Sequence, residues 1–166
     1  MMGGGSGTNG SGSGYHYATQ TCTAPTDLTG TTVRVVLGDM GMTQMMGGTA
    51  PLGAHMMLHA TPAKGAAGSV TFVASNMGWR THELVLIPLA DGATAGSRTP
   101  GPDGKVDETG SLGEASGDCA SGSGEGIPSG SASWVTLRLA PGRYELICNL
   151  VNHYADGMHQ EFVVTP

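Results

Sequence analysis

Ser133-Trp134-Val135-Thr136-Leu137-Arg138-Leu139, then Pro141-Gly142, then Arg143-Tyr144-Glu145-Leu146-Ile147-Cys148 reads as strand, turn, strand. Val135, Leu137 and Leu139 recur with the period of two that sends alternate side chains to one face. Pro-Gly is a turn pair, one residue fixing φ and the next freeing it. The same pattern repeats upstream. Thr32 to Leu37 is a β-branched run ending at Gly38-Asp39, and His55 to Ala60 is stopped by Pro62. Ser69 to Ala74 places Val70 and Phe72 on one face, and His82 to Ile87 runs into Pro88. Gln160 to Val164 closes the pattern. About seven or eight short strands with Gly/Pro punctuation and no long amphipathic helix predict an all-β fold, a β-sandwich.

The 166 residues suit one domain with tails. The 29 glycines crowd the first fourteen residues and the stretch from Gly92 to Gly130. Residues 1–16 therefore read as a flexible Gly/Ser tether, and residues 17–166 as the folded domain. A Gly-rich insert at about 90–131 is long enough to be either functional or disordered. Only 12% of residues are charged, with 39% apolar, and no apolar run approaches the length that spans a bilayer. The net charge of −6 gathers in the insert, at Asp103, Asp107, Glu108, Glu114, Asp118 and Glu125. Without a Lys/Arg cluster to neutralise phosphates, nucleic-acid binding is not expected.

The three cysteines differ in their surroundings. Cys148 ends an apolar strand, whereas Cys22 and Cys119 lie among polar turn residues. An odd count in an exported protein suggests one disulfide and one working thiol. The expectation is a Cys22–Cys119 disulfide, with unpaired surface thiols as the alternative. No charged n-region or apolar h-region precedes the tether. Such a tether is expected just downstream of a removed signal or membrane anchor. That implies an extracytoplasmic location, periplasmic or at the cell surface, with the native chain tethered to the membrane.

Beyond the hairpin lies Cys148-Asn149-Leu150-Val151-Asn152-His153-Tyr154-Ala155-Asp156-Gly157-Met158. A thiolate, an imidazole and a thioether share one inter-strand loop. Soft sulfur with imidazole selects copper, and a His2Cys set with a weak axial Met defines a blue-copper site. The second histidine must come from elsewhere. His82 fits, because it opens a strand after the turn Asn76-Met77-Gly78-Trp79.

These residues resemble the cupredoxin family of small blue copper proteins. The resemblance runs from about Thr31 to Thr165, with the insert as a gap. It is carried by Pro141-Gly142-x-Tyr144-x-x-x-Cys148, by the Cys148/His153/Met158 loop with Gly157 before the Met, and by Asn76 six residues ahead of His82. It implies a Greek-key β-sandwich holding one type 1 copper ion near one end. His82, Cys148 and His153 would be the equatorial ligands and Met158 the axial one. The implied function is electron transfer, cycling Cu(I)/Cu(II) between redox protein partners, by a monomer that is not an enzyme. Electrons would pass through the edge of His153, with Leu150, Val151 and Tyr154 as an apolar docking rim. His16 and His159 do not supply the further histidine clusters that a copper enzyme needs.

Glu83 departs from many members of the family, which have Asn or Ser after the first ligand histidine. An ionised carboxylate accepts hydrogen bonds and donates none, so the surroundings of the metal must be wired differently. Alternation puts His82 with Leu84 and Leu86, and Glu83 on the opposite face toward solvent. A second copper reading rests on Met40, Met42, Met45, Met46, Met56 and Met57, with His55 and His59. Thioethers bind Cu(I), which suggests a copper-handling protein for storage or delivery. Core packing or a docking surface are the other uses of such methionines. Within the segment, Met56 and Leu58 fall on one face, and Met57 with the two histidines on the other.

Overall fold

The computed structural model describes residues 18–39 and 55–166. The tether at 1–16, His16 and Met40, Met42, Met45 and Met46 lie outside the described residues. Within them the chain forms strands and no helix: β1 (Thr31–Asp39), β2 (Met56–Thr61), β3 (Lys64–Ala66), β4 (Gly68–Asn76) and β5 (Leu84–Pro88). There follow β6 (Gly113–Ala115), β7 (Ala120–Ser121), β8 (Ala132–Leu139), β9 (Gly142–Ile147) and β10 (His159–Thr165). They make two 5-stranded sheets, ordered β2-β1-β4-β8-β7 and β3-β10-β9-β5-β6. The chain crosses between the sheets repeatedly, and β1 pairs parallel with β4 although other strands separate them in sequence. This is the connectivity of a Greek-key β-sandwich.

Alternation builds the core. Val33, Val35 and Leu37 of β1, Val70, Phe72 and Ala74 of β4, and Leu84 and Leu86 of β5 all point into one cluster. Phe72 meets Phe162 of the opposite sheet edge-on, with ring centroids 5.2 Å apart. Met56 and Leu58 are buried while His59 is exposed, so β2 shows the two faces its sequence predicts. Tyr144 turns its hydroxyl back to the Ala140 carbonyl at 2.7 Å and so fixes the turn between β8 and β9.

The outer faces are treated differently. On the β5–β9 side, Val85, Ile87 and Ile147 are covered by Val106 and Tyr154. Residues 90–131 thus lie on the sandwich, contributing β6 to one sheet and β7 to the other. Cys22 and Cys119 form the expected disulfide, clipping the arm before β1 to this segment.

Candidate metal centre

Three donor atoms converge at one end of the sandwich. His82 Nδ1 lies 3.2 Å from His153 Nδ1. Cys148 Sγ lies 3.4 Å from His153 Nδ1 and 4.0 Å from His82 Nδ1. Sequence reasoning named all three, and the fold brings them together from two sheet-linked regions 66 residues apart.

His82 stands just before β5. Its amide donates to the Ile127 carbonyl at 3.2 Å, and its carbonyl accepts the Ile127 amide at 2.7 Å. The turn before it is closed by Asn76, whose side-chain amide donates to the carbonyls of Arg80 and Ile127 at 2.6 and 2.8 Å. Asn76 Oδ1 accepts the Gly78 amide at 2.9 Å. Asp39, at the end of β1, completes the clamp. Its carboxylate accepts the amides of Trp79 and Arg80, each at 3.0 Å, and faces His82 Nε2 at 3.0 Å. A β-carbon at Gly78 would collide with that carboxylate and with the Asp39 amide, so the turn needs glycine there.

Burial pushes the Asp39 carboxyl up, but the bond from His82 and the Trp79 and Arg80 amides outweigh it and hold it below its ordinary value. An ionised Asp39 only accepts. His82 Nε2 therefore carries the hydrogen, and Nδ1 presents its lone pair to Cys148 and His153. A carboxylate on the far nitrogen of a ligand histidine orients the ring and raises its basicity.

Cys148 follows β9 and is fully buried. Burial pushes its thiol up to about 12, so an ion that binds here must displace that proton. The Glu83 amide donates to its sulfur at 3.3 Å, drawing electron density from the sulfur. The loop then folds back on itself. His153 N bonds Leu150 O at 2.9 Å, and Met158 N bonds His153 O at 3.1 Å. Asn152 and Gly157 take positive φ, 68° and 111°, conformations open to Asn and Gly at low cost. Burial, the adjacent His82 and Arg80 push His153 down to about 4, so it stays neutral and able to bind a metal. Met158 is fully buried in the same cluster as Cys148, and its carbonyl accepts the Cys148 amide at 3.2 Å.

The loop has its own pins, which no sequence signal marked. Asn149 exchanges bonds with the Val106 backbone, accepting at 2.8 Å and donating at 2.9 Å, and donates to Glu108 Oε1 at 2.7 Å. Tyr154 donates to Glu145 Oε1 at 2.7 Å, and Arg98 Nε donates to Glu145 Oε2 at 2.6 Å. Glu145 is fully buried, and the Gly96 amide donates to it at 2.7 Å.

Two expectations need correction. Tyr154 is not part of an apolar rim: only 2% exposed, it packs on the outer face of the β5–β9 sheet, under residues 90–131, and reaches Glu145, while Val151 is 55% exposed. Glu83 does lie across the strand from the core-facing Leu84, but open water does not surround it. Burial, with Glu108 and Glu114 nearby, raises its carboxyl above the ordinary value. The cause is residues 90–131, which cover that side.

The donor set suits copper. Two imidazoles and a buried thiolate are the equatorial set of a blue-copper centre. Edges of about 3.5–4 Å are expected for three donors around an ion bonded at about 2.0–2.3 Å. The observed 3.2, 3.4 and 4.0 Å fall close to that triangle, and His82, Cys148 and His153 form a candidate copper site.

No family model and no curated protein sequence matches the chain. Among solved structures it is similar to a rusticyanin, with 19% identity over 88% of each chain and a TM-score of 0.49. It is also similar to auracyanin B, with 21% identity over 91% of this chain and 99% of that one, TM-score 0.48. Reduced auracyanin from the photosynthetic bacterium Roseiflexus castenholzii is 20% identical over 64% of this chain and 87% of that chain, TM-score 0.44.

Proposed function

We propose that the chain is a type 1 copper protein that passes single electrons between redox proteins, and is not an enzyme. The observation that carries this reading is the buried triangle of His82 Nδ1, Cys148 Sγ and His153 Nδ1. Met158 is assigned as the axial ligand, because it offers a thioether from the same buried loop. A copper ion held there supplies a one-electron Cu(I)/Cu(II) couple.

The chain's own residues serve that task by not moving. Asp39, Asn76 and the Ile127 backbone lock His82, while Asn149 and Tyr154 lock the Cys148 loop. Donors that hold one arrangement need little rearrangement when the ion's charge changes. The Glu83 amide on Cys148 Sγ favours the reduced state. His153 is 7% exposed against 0% for His82, which makes His153 the port toward a partner. Val151, beside it and exposed, gives a small apolar contact suited to brief docking.

We take residues 17–166 as one monomeric functional domain carried on the 1–16 tether, working outside the cytoplasm. The disulfide supports an oxidising compartment. The test of the assignment is Cys148→Ser. It should abolish the intense visible band of the Cu(II) protein and leave the sandwich folded. A serine variant that keeps its colour would overturn the ligand set.

A further inference from the structure

The outer face of the β1–β2 sheet holds a second group of soft donors that the proposed electron-transfer site does not use. On β2, Met57 pairs with Gly38 and His59 with Val36, so both side chains stand on the same outer face. On the other side of β1, Met77 follows β4 directly, and its amide bonds the Leu37 carbonyl at 2.8 Å. Met57 and Met77 thus flank Gly38 from opposite sides.

A β-carbon on Gly38 would meet only the Met57 terminal methyl, at 3.5 Å, so the Met57 side chain already reaches over the gap. Met77 Sδ accepts the Gln20 side-chain amide at 3.0 Å. Met57, Met77, His59 and Gln20 line one cavity of about 430 Å³, floored by Val36. Met57 and Met77 are half-buried and His59 is exposed, so the face is accessible from outside.

We propose that Met57, Met77 and His59 form a second metal site, selective for Cu(I). Two thioethers with one imidazole are soft and neutral, a donor set that prefers Cu(I) to Cu(II) or zinc. Arg34 lies at the far end of the same cavity, and its charge disfavours a divalent ion more than a monovalent one. Plain packing would explain a Met in this place, but it does not call for an exposed histidine beside two thioethers. The site stands independently of the type 1 reading, since it shares no residue with it.

The probe is Cu(I) alone, titrated anaerobically into the reduced one-copper protein against a chromogenic Cu(I) chelator. The expected result is one further equivalent bound. Met57→Leu with Met77→Leu should lose that equivalent, because leucine keeps the volume and removes the sulfur. The double variant should still turn blue on oxidation, which shows that it folds. His59→Ala should weaken the second equivalent at least tenfold. No second equivalent, or one that survives in the double leucine variant, would overturn the site. A colourless protein that still binds one methionine-dependent equivalent would sink the type 1 reading and leave this one standing.

Discussion

The turn from Asn76 to His82 and the loop from Cys148 to Met158 bring donor side chains to one point by different means. The turn is pinned by the framework itself: Asp39 ends a central strand, and Ile127 bridges His82 through the backbone on both sides. The loop is pinned by residues 90–131, through Asn149 to Val106 and Glu108, and through Tyr154 to Glu145 and Arg98. One histidine is therefore locked from inside the core. The other is held by a covering layer, nearer the surface. The two regions should fail separately.

The largest effect is expected from Glu145→Ala. It removes the acceptor shared by the Tyr154 hydroxyl, the Gly96 amide and the part-exposed Arg98 guanidinium. Losing three bonds to one carboxylate costs about 2–4 kcal/mol, readable by chemical denaturation. Hydrogen exchange should quicken in 149–158 and stay slow in 76–82. Equal loosening of both regions would erase the distinction between them.

Asp39→Ala addresses the other region. Loss of the carboxylate behind a ligand histidine weakens metal binding by about 10–100-fold, measured by competition with a chelator. Asp39→Asn should bind copper better than the alanine variant and show a higher reduction potential than wild type, because a negative charge near the ion is gone. An unchanged potential would reduce Asp39 to a clamp on the turn.

Asn149→Ala removes three hydrogen bonds at the start of the loop. It should cost about 1–3 kcal/mol and widen the electron paramagnetic resonance lines as the loop samples more geometries. Val151→Ser is the smallest change. Stability should stay within about 0.5 kcal/mol, while electron self-exchange slows because the contact beside His153 is less apolar. A Val151→Ser protein that exchanges at the wild-type rate would move the docking surface elsewhere.

The donors that converge, His82, Cys148 and His153, were legible and their pins were not. Cys148, His153 and Met158 are close in sequence and sit between period-two strands, so chemistry and spacing announce them together. His82 was readable because a glycine turn delivers it to the start of a strand. Asp39 looked like the residue that merely ends β1, since its partner His82 lies 43 residues on. Glu145 alternates outward between Tyr144 and Leu146, as a solvated residue would, and only the fold shows that Arg98 and Tyr154 cover it. Tyr154 was misread for the same reason. A strand's two faces can be read from its sequence, but what lies over the outer face depends on where a distant segment packs. That also explains Glu83, which stands across the strand from the core-facing Leu84 as alternation predicts yet is crowded by Glu108 and Glu114.

The most direct test of the central claim is Cu(II) titration of the metal-free protein, followed by its optical and electron paramagnetic resonance spectra. One equivalent should develop an intense visible band with a narrow copper hyperfine splitting, the signature of a short copper–thiolate bond in a His2Cys site. A pale protein with wide splitting, as nitrogen and oxygen ligands give, would contradict the assignment of His82, Cys148 and His153.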